Sequence, residues 1–241
     1  MSLFKIPLIL SSAIAVHVAL TPPHAPAKSE VVHDTFNEWV IIQHVKYGLP
    51  IAKIIYWGVS CAETALILSR ITDPSTLPSV IQNAVGPILP RIQDKIQDVP
   101  ITPHFLFGTA VVAAAGYLRW SCFRTLGRFF TFELTTRKGH QLVTGGPYSV
   151  VRHPSYSAAI MQYIGVVILH GSATSWLRQS GVLGIPGLKV VLLGWLLERT
   201  VTVVSLVRRI NQEEEVVKSM FGDEWKRWAK VVRYRLIPGI Y

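Results

Sequence analysis

The sequence predicts an all-α, polytopic integral membrane protein with about five transmembrane helices. Half of its residues are hydrophobic, only 16% are charged, and the mean hydropathy is +0.36, values outside the range of ordinary soluble domains. Apolar runs long enough to cross a bilayer alternate with short polar stretches rich in proline and glycine. The formal net charge of +10 is carried by cations that cluster between and after those runs. A nucleic-acid-binding face would spread them along one surface, so no nucleic-acid partner is expected. Cys61 and Cys122 fall in separate apolar segments without metal-ligand spacing, which implies neither a disulfide framework nor a metal site.

Residues 3–20 are apolar apart from Lys5 and His17, and end at Pro22, Pro23 and Pro26. A secretory signal with Lys5 as its charged start fits this stretch, as does a retained first helix; the later spans favour the second. Residues 39–69 form one long kinked span with Pro50 near its middle and Lys53 and Glu63 inside, because two crossings of about 20 residues each do not fit. From 71 to 100 the chain is polar and proline-rich. Ile88, Ile92 and Ile96 recur there at helical spacing beside Arg91, Asp94, Lys95 and Asp98, the pattern of a short interfacial amphipathic helix or of a plain loop helix. Residues 101–118 make a third span, in which Gly108, Ala110, Ala113, Ala114 and Gly116 permit close helix approach.

A cationic stretch follows, with Arg119, Arg124, Arg128, Arg137 and Lys138. The fourth span covers 157–169 and reverses through Gly171, Gly181, Gly184, Pro186 and Gly187. The fifth runs from about 188 to 207 and holds Glu198 and Arg199; an acid at membrane depth marks Glu198 as a cavity residue or as the partner of a neighbouring helix. The tail, 208–241, is charged, helical in pattern, and broken at Phe221-Gly222. Only Arg178 and Lys189 lie between the last two spans, so the positive-inside rule puts both basic segments in the cytosol and the N-terminus opposite. The chain thus divides into three N-terminal spans, 1–118, and a catalytic region, 119–241.

The organising stretch is 142–156, LVTGGPYSVVRHPSY. Gly145, Gly146 and Pro147 read as a turn, and Pro154 suits the first turn of a helix. Arg152 and His153 then stand at a helix entrance, where free N–H groups and the positive dipole end favour an anion. The plainer alternative is a turn with a flanking cation. A hairpin of the last two spans brings this entrance beside Arg209 and Glu213, which are four apart and share a helix face. They could line a pocket capped by Tyr148, His153 and Tyr156, or form a solvated ion pair worth little.

Two patterns, Gly-x-x-Tyr-x-x-x-Arg-His-Pro-x-Tyr at 145–156 and Arg-x-x-x-Glu-Glu-x-x-(aliphatic)-x-x-x-Phe-Gly at 209–222, resemble the signature of the isoprenylcysteine carboxyl methyltransferases. The resemblance covers about 133–241, close to half the chain. It implies a cytosolic S-adenosyl-L-methionine pocket formed by the C-terminal half. The walls would be Glu133, His140, Gln141, Leu142, Val143, Tyr148, His153, Pro154, Ser155, Tyr156 and Glu213. Arg209 matches the arginine that faces the substrate carboxylate, with Arg152 as the neighbouring catalytic cation. It further implies methylation of the C-terminal S-prenylcysteine of prenylated CAAX proteins at the endoplasmic reticulum membrane. Two positions depart from the pattern: Ala158 stands where the family has glycine, and Glu133 where an amide is frequent. A phospholipid amine N-methyltransferase is an alternative, needing a base and having less use for Arg209. A membrane sterol reductase is another, since such enzymes share the Arg-His-Pro-x-Tyr run and a tail like Tyr234-Arg235-Leu236-Ile237-Pro238. A degenerate membrane scaffold is the non-enzymatic reading.

Overall fold

The computed structural model describes residues 3–24, 35–70, 79, 83, 100–135 and 139–241. The helix proposed around Ile88, Ile92 and Ile96 lies outside the described residues, as do Arg137 and Lys138. Among those described, the regular elements are all helical: α1 (Lys5–Ala19), α2 (Phe36–Gln43), α3 (Leu49–Ser69), α4 (Pro103–Leu126), α5 (Pro154–Gly171), α6 (Trp176–Gln179), α7 (Leu188–Phe221) and α8 (Asp223–Val231). Among the described residues, four helical stretches are long and apolar enough to cross a membrane: Phe36–Ser69, Pro103–Phe129, Pro154–Gln179 and Leu188–Phe221. The fifth expected span, α1, has 15 residues and rises about 22 Å, less than the roughly 30 Å of a hydrocarbon core. It packs inside the bundle all the same, burying Ile9, Ala13, Val16 and Ala19.

Local chemistry starts and stops these helices. Thr35 and Thr102 cap α2 and α4 by accepting from the backbone N–H of Glu38 and Phe105, and prolines sit at the first turns of α4 and α5, where no N–H is needed. The second span, where the sequence predicts a kink at Pro50, holds a π-helical turn, His44–Gly48, that ends two residues before Pro50. A widened turn of this kind relieves the clash between the proline ring and the preceding carbonyls. It also turns His44 toward α7, where its Nδ1 meets Glu198 and its Nε2 lies 2.8 Å from Arg199 Nη1. Glu198 therefore has the foreseen partner on another helix, while His44 and Arg199, and not Glu198 itself, line the neighbouring cavity.

Small residues set the helix spacing, although not all those expected. A Cβ on Gly108 would meet the Leu169 backbone at 2.9 Å, and one on Gly116 would meet Ala15 at 2.7 Å. Ala110 and Ala114 face outward, whereas Ala115 is fully buried. The third span is longer than its apolar run, so α4 carries Arg119 and Arg124 within the helix. The 118/119 divide consequently falls inside one rigid rod. Likewise α7 is one helix of 34 residues, about 51 Å long, which continues from the bundle into the polar segment holding Arg209, Glu213 and Glu214. Gly222, at φ +54°, ends it at the expected break, a conformation that disfavours side chains. The C-terminal end of α4, the start of α5 and the far half of α7 meet at one end of the bundle, so both basic segments lie there.

Candidate active site

At that end the sequence 139–153 folds as coil and a tight turn and leads into α5. Gly146 has φ +57°, and a Cβ there would lie 2.9 Å from Thr125 Oγ1 on α4, so the Gly-Gly-Pro run needs glycine at its second position. The turn holds Tyr148 against Cys122, Phe123, Phe130 and Phe132, and burial pushes the Tyr148 phenol well above its usual pKa, keeping it neutral. Trp228 Nε1 of α8 donates to the Tyr148 carbonyl at 3.3 Å.

The Arg-His-Pro triplet is tied to the tail. Backbone N–H groups of Arg152 and His153 donate to the carbonyls of Tyr234 (2.9 Å) and Arg235 (2.8 Å). Arg152 Nε donates to Glu214 Oε1 at 2.7 Å, and its Nη1 to the carbonyls of Val232 (3.0 Å) and Arg233 (2.8 Å). His153 Nε2 lies 3.2 Å from the same Glu214 oxygen, and Arg235 Nη2 donates to the other at 2.9 Å. Glu214 is thus the anion that gathers the expected cation Arg152, the histidine beside it and the tail. Such a charge-assisted network rigidifies the helix entrance, and it occupies the donors that an incoming anion would otherwise use.

On the neighbouring face of α7, Arg209 is 3% exposed. Its Nη1 lies 3.2 Å from Glu38 Oε2 and donates to the Phe132 carbonyl at 3.0 Å, and its Nε is 3.6 Å from Glu213. Glu38, wholly buried on α2, also accepts from the Leu134 N–H at 2.7 Å. The Tyr156 hydroxyl donates to Glu213, and the ring stacks on His153 with centroids 5.4 Å apart. Arg209 and Glu213 therefore form an ordered part of the wall, and the solvated alternative does not describe them.

These groups enclose a cavity with an empty volume of about 1040 Å³. Every residue expected at the site lines it except Pro154, which is buried at the first turn of α5. Sequence reasoning missed Thr131, Glu214, Trp225 and Trp228, which also line it. The doubled glutamate at 213–214 was the available signal for Glu214; nothing local pointed to Glu38. A second cavity, about 940 Å³ in empty volume, runs up into the bundle between α1, the α2–α3 rod, α5 and α7. Its lining combines aliphatic residues, including Val16, Leu20, Ile41, Leu49, Val203 and Leu206, with aromatic ones such as Tyr56, Phe132 and Trp195. The two cavities share Phe130, Thr131, Ser155 and Tyr156. Among the described residues, no cluster of three metal-ligating side chains occurs.

The sequence model of the isoprenylcysteine carboxyl methyltransferase (ICMT) family matches residues 107–183, a segment that contains α4 from Phe107 onward, the turn, the triplet and α5. The chain is similar to the isoprenylcysteine carboxyl methyltransferases. The protein-S-isoprenylcysteine O-methyltransferase of Schizosaccharomyces pombe is 31% identical over 137 residues, 54% of this chain and 50% of that protein. Protein-S-isoprenylcysteine O-methyltransferase B of Arabidopsis thaliana is 28% identical over 128 residues, covering 52% and 55%. The Delta(14)-sterol reductase of Neurospora crassa is 26% identical over 122 residues, covering 45% of this chain and 25% of the reductase. The chain therefore spans about half the length of the methyltransferases it matches and a quarter of that reductase. The segment matched by the family model contains the motif at 145–156 and ends before the one at 209–222.

Proposed function

We propose that this chain methylates the C-terminal α-carboxylate of an S-prenylcysteine, with S-adenosyl-L-methionine as donor. The observation that carries the reading is the junction of two cavities with different linings: one holds Glu133, Arg152, Arg209, Glu213 and Glu214, the other is the more apolar and lies in the bundle, and they share a wall at Ser155 and Tyr156. A methyl transfer to a lipidated acceptor needs this arrangement, since donor and acceptor differ in polarity but must meet at one atom.

The polar cavity suits the donor. Trp225, Trp228 and Phe129 offer faces for a purine. Glu213 presents a carboxylate to ribose hydroxyls or to a cationic centre, and Tyr156 fixes it there. The backbone at 140–143 and Glu133 complete the wall. The bound donor would supply an electrophilic methyl on a sulfonium. The acceptor carboxylate is already ionised at neutral pH, so the protein moves no proton; it aligns the groups and excludes water, which can contribute several kcal/mol to the barrier reduction, of the order of 7 kcal/mol or more in well-aligned systems. Glu38 and Glu213 balance the charge of Arg209, whose role is to orient the acceptor by its field and hold the wall rigid without quenching the nucleophile. Arg152 acts at one remove, by locking the tail and His153 through Glu214.

In a cell the acceptors would be prenylated CAAX proteins, reached from the cytosolic face of the endoplasmic reticulum membrane. The test is transfer of labelled methyl from S-adenosyl-L-methionine to N-acetyl-S-farnesylcysteine in membranes with and without this protein. Base-labile label in the prenylcysteine is the expected result; its absence, with cofactor binding intact, would move the acceptor to a lipid amine. The similarity to sterol reductases supports a second reading, and binding of NADPH in place of S-adenosyl-L-methionine would favour it.

A further inference from the structure

The C-terminal tail closes on itself beside the membrane-spanning helices. The N–H groups of Arg235, Leu236 and Ile237 converge on the Tyr241 backbone oxygen at 2.9, 2.8 and 2.9 Å, and Gly239, at φ +81°, allows the reversal. Ser157 Oγ of α5 donates to the Leu236 carbonyl at 2.6 Å. The Leu236 side chain packs with Tyr156 and Ile210 against Ile160, Leu206 and Val207. Ile160 and Leu206 belong to the apolar spans, so the closed loop stands level with the ends of those spans. Its other face is uncovered: Ile237 is 50% exposed and Ile240 77%, with Tyr234 and Tyr241 exposed beside them.

The helix α7 marks the same level from its outer face. Leu193, Leu197, Val201 and Val204 recur at helical spacing and are all exposed, and the stripe ends at the exposed Arg208, about 6 Å beyond Val204 along the axis. Arg233, just before the loop, is exposed as well. Among the described residues, neither arginine has a carboxylate within ion-pair distance. Glu213 and Glu214 are already held, the first by Tyr156 and Arg209, the second by Arg152, His153 and Arg235. The exposed Glu215 lies about 10 Å beyond Arg208 along α7. Apolar side chains at span depth, tyrosines at the boundary and unpaired arginines at its edge match the acyl, interfacial and phosphate layers of a leaflet.

We propose that Arg208 and Arg233, with Ile237 and Ile240, form a docking site for anionic phospholipid headgroups at the end of the bundle that holds the polar cavity. The isoleucines enter the acyl layer and the guanidiniums meet the phosphates, which a planar fork can bind through two donors. The same tail supplies the carbonyls of Tyr234 and Arg235 to the N–H groups of Arg152 and His153, and the Arg235 contact to Glu214. Lipid that holds the loop therefore also holds the wall of the candidate site. This goes beyond the methyl-transfer reading and stands whichever acceptor the cavities take.

The experiment uses the full chain in detergent at low salt and titrates labelled phosphatidylglycerol and phosphatidylcholine of identical acyl chains. Wild type should prefer the anionic lipid about 25-fold, roughly fivefold for each arginine. The double variant Arg208→Gln, Arg233→Gln should bind the two lipids alike, and Arg208→Lys with Arg233→Lys, which keeps the charge, should recover most of the preference. Ile237→Ser with Ile240→Ser should weaken both lipids equally. Lys218→Gln removes an exposed cation about 15 Å beyond Arg208 along α7 and should leave the preference intact. Phosphatidylglycerol should protect the start of α5 from limited proteolysis in wild type and not in the glutamine pair. Retention of the preference by the glutamine pair overturns the assignment, as does an equal loss in Lys218→Gln, which would make it an effect of net charge alone. Binding of the anionic lipid without protection of α5 overturns the link to the site. Equal binding of the two lipids by wild type overturns the proposal and leaves this face to an acidic protein.

Discussion

Replacing Glu38 by alanine should destabilise the fold through a residue that no motif contains. Glu38 is wholly buried, and Arg209 opposite it is 3% exposed, so solvent cannot take over when the pair is broken. Removing one partner of such a pair leaves an uncompensated charge at a cost of about 3–5 kcal/mol. Glu213, 3.6 Å from Arg209 Nε, remains as a partial counter-charge and sets the expectation at the lower end, about 3 kcal/mol. For a chain of this size that corresponds to a fall in Tm of about 6–12 °C. Glu38→Gln keeps an oxygen that can accept from the Leu134 N–H, now made at 2.7 Å, and should fall between wild type and Glu38→Ala. The assay is tryptophan-fluorescence melting of purified protein in one detergent at one scan rate, since membrane proteins unfold irreversibly on heating. An alanine variant melting within about 2 °C of wild type, or glutamine and alanine melting together, would refute the claim that this ion pair and this hydrogen bond tie α2 to the site.

Three further outcomes follow from the geometry. Gly146→Ala should cost about 1–3 kcal/mol, because φ is +57° and Thr125 Oγ1 blocks the new methyl, whereas Gly145→Ala, with open space around it and φ −91°, should stay within about 0.5 kcal/mol; paired melts separate them. Tyr156→Phe removes the donor to Glu213 and should weaken S-adenosyl-L-methionine binding about tenfold in calorimetric titration, with little change in Tm. Deleting 233–241 removes the three carbonyls, of Arg233, Tyr234 and Arg235, that accept from Arg152 and His153, and the Arg235 contact to Glu214, so the start of α5 should become susceptible to limited proteolysis and cofactor binding should be lost.

The spans were legible because apolarity and helical length are local properties, and the turn chemistry at Gly146, Pro154 and Gly222 is local too. The polar wall was legible for a related reason: its residues come in two short runs, and a short connection between α5 and α7 leaves those runs little choice but to meet. The sequence alone also marked Glu198 as unusual, since an acid in an apolar span has to be explained by a partner.

Tertiary structure decided the pairing. Arg119 read as a flanking cation because the apolar run stops at 118, but helical hydrogen bonding carries α4 on to Leu126 and turns that arginine inward. Arg152 read as an anion receiver, and Glu214 claims it. Glu38 read as nothing, being one acid 171 residues away from the arginine it faces. Helix periodicity tells which residues share a face of one rod. Which charges neutralise one another depends on how separate rods pack, and burial makes that choice energetically decisive: in a low-dielectric interior a charge that is paired and one that is not differ by several kcal/mol, of the order of the net stability of a whole domain.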